Sequence, residues 1–232
     1  MQLKQRDGLL ITMMTIAAIG YSYLPSQWGK AKYRLRKKTT DKVIYLTFDD
    51  GPNPVYTTKL LTLLKEYHIK ASFFLVAQYA SEYPLVVKRI KEEGHVIGFH
   101  SLSHKSAMIQ TPHYTNMEFE KSIELMESLG ISPKYYRAPW GHVNVATLYN
   151  VKKHGFKQVL WDVMVQDWQK DTTVDELQYK LLKNTKPGDV ICLHDGRGAD
   201  CAPERMIEAL SKTIPIWLEQ GYRFDGIDEI ES

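Results

Sequence analysis

The sequence predicts an α/β protein whose parallel strands form a sheet closer to a barrel than to a short open sheet. From Thr40 onward, short β-rich runs alternate with segments of helical pattern. Such alternation implies a parallel sheet with helices packed outside it. Strand candidates lie at 43–47, 71–76, 95–99, 135–137, 157–161, 189–193 and 222–224. A strand count of about seven favours a barrel-like domain.

The helical segments have recognisable starts. Helix candidates lie near 57–67, 81–93, 116–129, 144–154, 174–184 and 203–219. Thr115 with Glu118, and Thr173 with Glu176, have the spacing of capping boxes and predict where two helices begin. Pro203 suits the first position of the last helix. We find no internal repeat and no second domain in the sequence.

Composition and charge are those of an ordinary globular chain. Its 232 residues are 25% charged, with a formal net charge of +3. The largest basic cluster is Lys30, Lys32, Arg34, Arg36, Lys37 and Lys38. Since the rest of the chain is nearly balanced, it lacks the basic face of a nucleic-acid-binding protein. Cys192 and Cys201 form no metal-binding or CxxC pattern, and we interpret them as a buried strand thiol and a loop thiol.

The N-terminal segment is apolar. No charged residue lies between Gly8 and Gly29, and residues 9–19 are strongly apolar. Because roughly 20 apolar residues span a bilayer, we predict an N-terminal transmembrane helix within residues 1–29. A cleaved signal peptide is the alternative, since Ala18-Ile19-Gly20 is a passable small-x-small cleavage site.

The basic cluster bears on the location of the protein. We predict a basic juxtamembrane linker at residues 30–39 and a catalytic domain at residues 40–232. The positive-inside rule would place this domain in the cytoplasm, but the cluster could instead touch anionic lipid or wall polymer. The chemistry below favours a single-pass membrane protein with an extracytoplasmic catalytic domain. Secretion after signal cleavage is the alternative, and no obligate protein partner is predicted.

Polar residues follow five of the predicted strands where each strand ends. They are Asp49 and Asp50, His100 and His104, Arg137, Asp167 with Trp168, and His194. Because barrels build active sites at the carboxyl ends of their strands, we expect these side chains to converge. Adjacent carboxylates on an extended segment point in different directions, so one can bind a metal while the other stays free as a base.

The histidine pair has the spacing of metal ligands. His100 and His104 are four residues apart, so on a helical turn both imidazoles face the same way. A carboxylate at the end of a nearby strand would supply a third ligand. Two histidines and one carboxylate leave positions open for water and substrate, as in a catalytic rather than a structural site.

Three further groups suit the same rim. The position of His194 favours an acid/base role over that of a buried, hydrogen-bonded histidine. Arg137 is a sensible partner for a carboxylate that must stay ionised. Trp140 and Trp168 flank the predicted site and would form apolar walls for a sugar ring.

The motifs Thr-Phe-Asp-Asp-Gly-Pro, His-Ser-x-x-His, Arg-x-Pro-Trp-Gly, Asp-Trp and Leu-His-Asp, in this order, resemble those of the polysaccharide deacetylase family. This family is also called the NodB homology domain or carbohydrate esterase family four. The resemblance spans about residues 40–225. It implies a distorted, incomplete (β/α) barrel and metal-dependent removal of acyl groups, usually acetyl, from a glycan such as peptidoglycan, chitin or chitooligosaccharide.

The resemblance also implies roles for the metal and proton-transfer residues. Asp50, His100 and His104 would hold a divalent ion, commonly zinc, with Co²⁺, Mn²⁺ or Ni²⁺ as alternatives. Asp49 would be the general base and His194 the general acid.

The remaining motif residues would support these groups. Arg137 would orient the base, and Asp167 would tune the acid. The backbone N–H of Trp140 would help to hold the oxyanion, and Pro139, Trp140 and Trp168 would contact the substrate.

Two departures from the family pattern leave the substrate open. Phe99 stands where many relatives have Asn, and Met164 stands at a position that is often acidic. Another amide or a lipid-linked sugar is therefore an alternative substrate. A glycan-binding pseudoenzyme is disfavoured because the ligand set and both proton-transfer residues are complete. A phosphoryl-transfer enzyme is disfavoured because the sequence has no Gly-rich phosphate loop.

Overall fold

The computed structural model describes residues 2–36 and 38–230 of the chain. The strands are β1 (Val43–Asp49), β2 (Ser72–Leu75), β3 (Val96–Phe99), β4 (Tyr135–Tyr136), β5 (Lys157–Gln158), β6 (Val163–Met164), β7 (Asp189–His194) and β8 (Arg223–Phe224). The α-helices are α1 (Gln2–Ala18), α2 (Leu24–Arg34), α3 (Tyr56–Glu66), α4 (Ala77–Glu82), α5 (Pro84–Glu92), α6 (Pro112–Ser128), α7 (Val145–Lys153), α8 (Val174–Asn184) and α9 (Ala202–Glu219).

The strands form one parallel sheet. Its order is β5-β4-β3-β2-β1-β7-β6, with β8 paired to β1. Within the described residues, the two end strands β5 and β6 do not pair with each other, so the half-barrel stays open between them. The predicted parallel α/β fold and incomplete barrel are confirmed.

The central strand β1 is buried along its whole length. Such strands read as continuous apolar runs because helices and core cover both faces of a parallel sheet. Ile44, Leu46 and Phe48 join the larger core cluster, whereas Tyr45 joins a smaller cluster on the opposite face. Since side chains alternate along a strand, Asp49 points to the same face as Tyr45.

One helix start differs from its prediction. The helix expected to begin at the Thr115 capping box begins at Pro112, with Thr111 as its N-cap. Proline is favoured at the first helical position, and the preceding threonine provides the cap. The helix therefore begins at Pro112 and not at the later capping box. The other start is confirmed, because the Thr173 side chain accepts a hydrogen bond from the Glu176 N–H at 3.2 Å.

Two other elements differ from their predicted bounds. The strand predicted at 157–161 ends at Gln158, because the next two carbonyl groups accept hydrogen bonds from an arginine side chain instead of a neighbouring strand. The helix predicted at 81–93 is two helices, and Pro84 starts the second.

The N-terminal residues are helical. A π-helical turn, Ile19–Tyr23, joins α1 to α2. Across residues 2–36 and 38–230, no helix is both long enough and apolar enough to cross a membrane. The predicted transmembrane helix is therefore unsupported. The division into residues 1–29, 30–39 and 40–232 stays a prediction, although α2 runs across its first boundary.

Candidate active site

The end of β1 directs two adjacent carboxylates into different surroundings. Asp49 is the last residue of the strand, and Asp50 has a left-handed backbone with φ of 73°, which few non-glycine residues adopt. The loop after β7 passes very close by: a Cβ at Gly196 would lie 2.0 Å from the Asp50 carbonyl oxygen. Glycine is thus required there, and the β1–β7 register sets His194 opposite Asp49.

Asp50, His100 and His104 form the candidate metal centre. Asp50 Oδ1 lies 3.3 Å from His100 Nε2 and 2.9 Å from His104 Nε2. His100 Nδ1 lies 2.7 Å from the carbonyl oxygen of Arg137. A proton on Nδ1 satisfies this contact and leaves Nε2 free for a cation. The structure therefore brings the three predicted ligands together.

The donor set fits a divalent cation. Asp50 Oδ1 is buried, and in the described part of the chain it has no hydrogen-bond partner. Burial raises the pKa of Asp50, but the interactions of its carboxylate with the nearby imidazoles of His100 and His104 outweigh burial and hold the pKa below its ordinary value. The carboxylate is ionised, as a metal ligand must be. One carboxylate and two imidazoles also leave coordination positions open.

A second group of donor atoms is less suited to a cation. Ligand atoms of Asp49, Cys192 and His194 also lie within 4.8 Å of one another. Burial and the charge of Asp49 raise the pKa of the Cys192 thiol well above its usual value. A protonated thiol is a poor ligand, because metals bind the thiolate.

Asp49 is held by a buried guanidinium. Arg137 Nη1 donates to Asp49 Oδ1 at 2.8 Å and to Thr47 Oγ1 at 2.7 Å, and Arg137 is fully buried. Arg137 Nη2 donates to the Leu160 carbonyl at 3.1 Å. Burial lowers the pKa of Arg137, but the interactions with Asp49 and other neighbours outweigh burial. The pKa of Arg137 therefore lies above its ordinary value. Asp49 Oδ2 remains directed towards the metal centre, 3.9 Å from His100 Nε2.

His194 is held by a buried carboxylate. Asp167 Oδ1 lies 3.0 Å from His194 Nδ1, and Asp167 Oδ2 accepts the His194 backbone N–H at 2.7 Å. Burial lowers the pKa of His194, but the charge and hydrogen bond of Asp167, followed by the charges of Asp49 and Asp50, raise it to about 9. The imidazole is therefore protonated near neutral pH and can donate a proton.

Two tryptophans flank the site, as predicted. The Trp140 ring is 52% exposed and lies 4.5 Å from the His104 ring, centre to centre. Trp168 lies edge-on to His194 at 4.9 Å. Pro139, by contrast, is buried in the turn before Trp140. The predicted substrate contact of Pro139 is not supported, because its ring is covered by protein.

Sequence reasoning missed two contacts. The Cys192 thiol donates to Asp49 Oδ2 at 3.4 Å; the residue was expected to be buried, but its neighbour could not be inferred from a lone cysteine. Asp195 is fully buried beside Gly51 and hydrogen-bonded to Thr57. Its place directly after His194 in the last motif was the available signal. Burial raises the pKa of Asp195 to about 7, with the charges of the neighbouring aspartates adding to the effect.

Comparison with known proteins agrees with this geometry. The family model described as polysaccharide deacetylase matches residues 36–159. A peptidoglycan-N-acetylglucosamine deacetylase of Bacillus cereus is 34% identical over 192 residues, covering 82% of this chain and 88% of the relative. A chitooligosaccharide deacetylase of Sinorhizobium fredii is 30% identical over 201 residues, covering 81% and 91%. The chain belongs to the polysaccharide deacetylase family and is a hydrolase of that class.

Solved structures support the same fold. The Bc1960 peptidoglycan N-acetylglucosamine deacetylase superposes with a TM-score of 0.77 at 33% identity, covering 83% of this chain and 90% of that one. A family-four pseudoenzyme from Bacillus anthracis has a TM-score of 0.73 at 22% identity, with 82% of this chain and 65% of that chain covered. The second likeness concerns the fold alone. Because that protein is a pseudoenzyme, sharing its fold does not by itself establish activity.

Proposed function

We propose that this protein is a metal-dependent deacetylase that hydrolyses N-acetyl or O-acetyl groups on a glycan such as peptidoglycan, chitin or chitooligosaccharide. One observation carries the proposal: the three candidate ligands Asp50, His100 and His104 adjoin the buried side chain of Asp49, paired with Arg137, on one side and the protonated imidazole of His194 on the other. Hydrolysis of an amide needs a base, an acid and oxyanion stabilisation in one place.

The chain's own residues would divide the work. Asp49 takes a proton from the attacking water, and Arg137, which donates to Asp49 Oδ1 at 2.8 Å, orients this carboxylate. Negative charge that develops on the acyl oxygen is stabilised by the backbone N–H of Trp140. His194 then gives its proton to the departing amine or alcohol, and Asp167 keeps the imidazole charged until that moment.

Asp50, His100 and His104 would hold the cation. Mixed imidazole and carboxylate ligands suit zinc, with Co²⁺, Mn²⁺ or Ni²⁺ as alternatives. When bound, such an ion supplies Lewis acidity: it polarises the acyl carbonyl and makes water a stronger acid.

The location is part of the proposal. We infer that the apolar N-terminal segment attaches the protein to a membrane, with the catalytic domain on the extracytoplasmic side where wall glycans lie. The exposed apolar side chains of Leu10, Ile11, Met14 and Ile16 support this inference. Secretion after signal cleavage is the alternative outcome. Protease treatment of intact cells tests it, since protection of the catalytic domain would contradict an extracytoplasmic location.

Acetate release tests the activity. The full-length chain in detergent is incubated with peptidoglycan, acetylated chitooligosaccharide and a lipid-linked acetylated amino sugar, with and without a chelator. We expect release from at least one glycan, loss of release with the chelator, and recovery when zinc is added back. A chain that releases no acetate from any substrate while binding one of them would instead be the pseudoenzyme.

A further inference from the structure

The N-terminal helical segment docks beside the candidate active site. Ser26 Oγ donates to the Val143 carbonyl oxygen at 2.8 Å and accepts the Val143 N–H at 2.9 Å. Both residues are buried. Ser22 Oγ, one turn earlier, donates to the Met108 carbonyl oxygen at 3.3 Å. The segment therefore contacts two loops, one after His104 and the other after Trp140.

The docking continues along one face of α2. Lys30 lies one turn after Ser26, and its Cε is 3.4 Å from the point where a Cβ at Gly141 would lie. Tyr33 Oη is 3.4 Å from Asp162 Oδ2, which Arg36 also contacts. Residues three and four apart share a helix face. The same face thus lies along the connection between the two end strands β5 and β6.

The two contacted loops hold strained residues of the site. Trp140 has φ of 55° and His104 has φ of 54°, both in the left-handed region. Such conformations persist in non-glycine residues only where the surroundings hold them. The loops also hold each other, because His142 Nδ1 lies 3.1 Å from Ser106 Oγ. Ser26 fixes the loop after Trp140 from outside.

We propose that Ser26 is a positioning residue of the active site. By binding both backbone groups of Val143, Ser26 fixes the turn that presents the Trp140 N–H to the acyl oxygen. The segment from Ser22 to Arg36 is then part of the catalytic unit, although most of it precedes the family match, which begins at residue 36. The catalytic part of this proposal rests on the proposed deacetylase function, whereas the docking itself does not.

Replacement of Ser26 by alanine tests the proposal in the full-length chain. Ser26→Ala removes both hydrogen bonds to Val143 and adds no bulk. We expect kcat to fall about tenfold with KM within about twofold, because a displaced oxyanion donor affects the transition state more than substrate binding. Amide hydrogen exchange of residues 140–143 should become faster.

Thr15→Ala is the matched control. Thr15 Oγ1 donates to the Ile11 carbonyl oxygen at 2.8 Å. Ser26 Oγ likewise lies 3.0 Å from the carbonyl oxygen of Ser22, four residues earlier, but Thr15 is exposed. This variant should change neither kcat nor exchange. Lys30→Ala provides a second variant, in case Ser26→Ala does not fold, and should give a smaller change in the same direction.

The outcomes separate the two proposals. Unchanged kcat and unchanged exchange in Ser26→Ala would overturn the positioning role, even if the unfolding temperature falls. If the parent chain deacetylates nothing, the proposed function fails. Faster exchange at residues 140–143 in Ser26→Ala would then support the docking, and unchanged exchange would overturn it.

Discussion

On each of the two flanks of the candidate active site, a buried partner of opposite charge holds a functional side chain. On one flank the fully buried guanidinium of Arg137 binds and orients Asp49; on the other the buried carboxylate of Asp167 raises the pKa of His194 and keeps the imidazole protonated. The Asp49 side chain is 4% exposed, whereas the His194 side chain is 15% exposed. Asp49, the proposed base, is therefore held deeper in the protein, whereas His194, the proposed acid, lies nearer to the solvent.

The largest expected effect comes from the base. Asp49→Asn keeps the shape but cannot accept a proton, so kcat should fall by about three orders of magnitude. Steady-state acetate release measures the loss. Metal content should stay at that of the parent chain, because Asp49 is not one of the three ligands. A fall of less than threefold would remove Asp49 from the mechanism.

Loss of the buried cation should affect stability more than any other change on this flank. Arg137→Gln leaves Asp49 buried without its counter-charge, and breaking a buried ion pair costs about 3 kcal/mol or more. Chemical denaturation of the metal-free chain measures the free energy of unfolding. Lys59→Gln breaks an exposed pair with Glu204 and serves as the control, with little expected change. Equal losses in both variants would contradict the account of Arg137.

The acid flank is tested by pH. The rate requires the His194 imidazolium, so the alkaline limb of a bell-shaped profile should fall as pH rises through about 9. Asp167→Asn removes the charge that raises this pKa. The alkaline limb should therefore move to lower pH, and the rate at pH 8 should fall about tenfold. If the alkaline limb stays in place, Asp167 does not raise the pKa of the group that donates the proton.

The smallest effect is expected at Cys192. Its thiol donates to Asp49 Oδ2 at 3.4 Å, and a thiol is a weak donor. Cys192→Ser should change kcat by no more than about threefold. A change as large as that of Asp49→Asn would mean that the thiol takes part in the reaction.

Local patterns predicted the parts of the site that each lie within one motif. The alternation of strands and helices predicted the parallel sheet, and the type and spacing of His100 and His104 predicted a pair of metal ligands. The choice of Asp50 over Asp49 as the third ligand came from the family resemblance. The convergence of these motifs followed from the rule that barrel strands share one active face.

Contacts between distant segments could not be predicted in this way. The apolar pattern before Gly29 carries no sign that Ser26 binds Val143, 117 positions later. The early end of β5 was also hidden, because Arg137 occupies the carbonyl groups of Val159 and Leu160 from 22 and 23 positions away. The burial of Pro139 was hidden for a related reason: a motif gives a residue's position in the chain but not its burial.

Zinc titration tests the central claim most directly. The chain is stripped of metal and titrated calorimetrically, beside Asp50→Asn, His104→Ala, Asp49→Asn and Cys192→Ser. We predict one tight site in the parent chain, weakened at least a hundredfold in Asp50→Asn and His104→Ala and retained in Asp49→Asn and Cys192→Ser. Tight binding that survives Asp50→Asn, or that is lost in Cys192→Ser, would contradict the assignment of the metal centre.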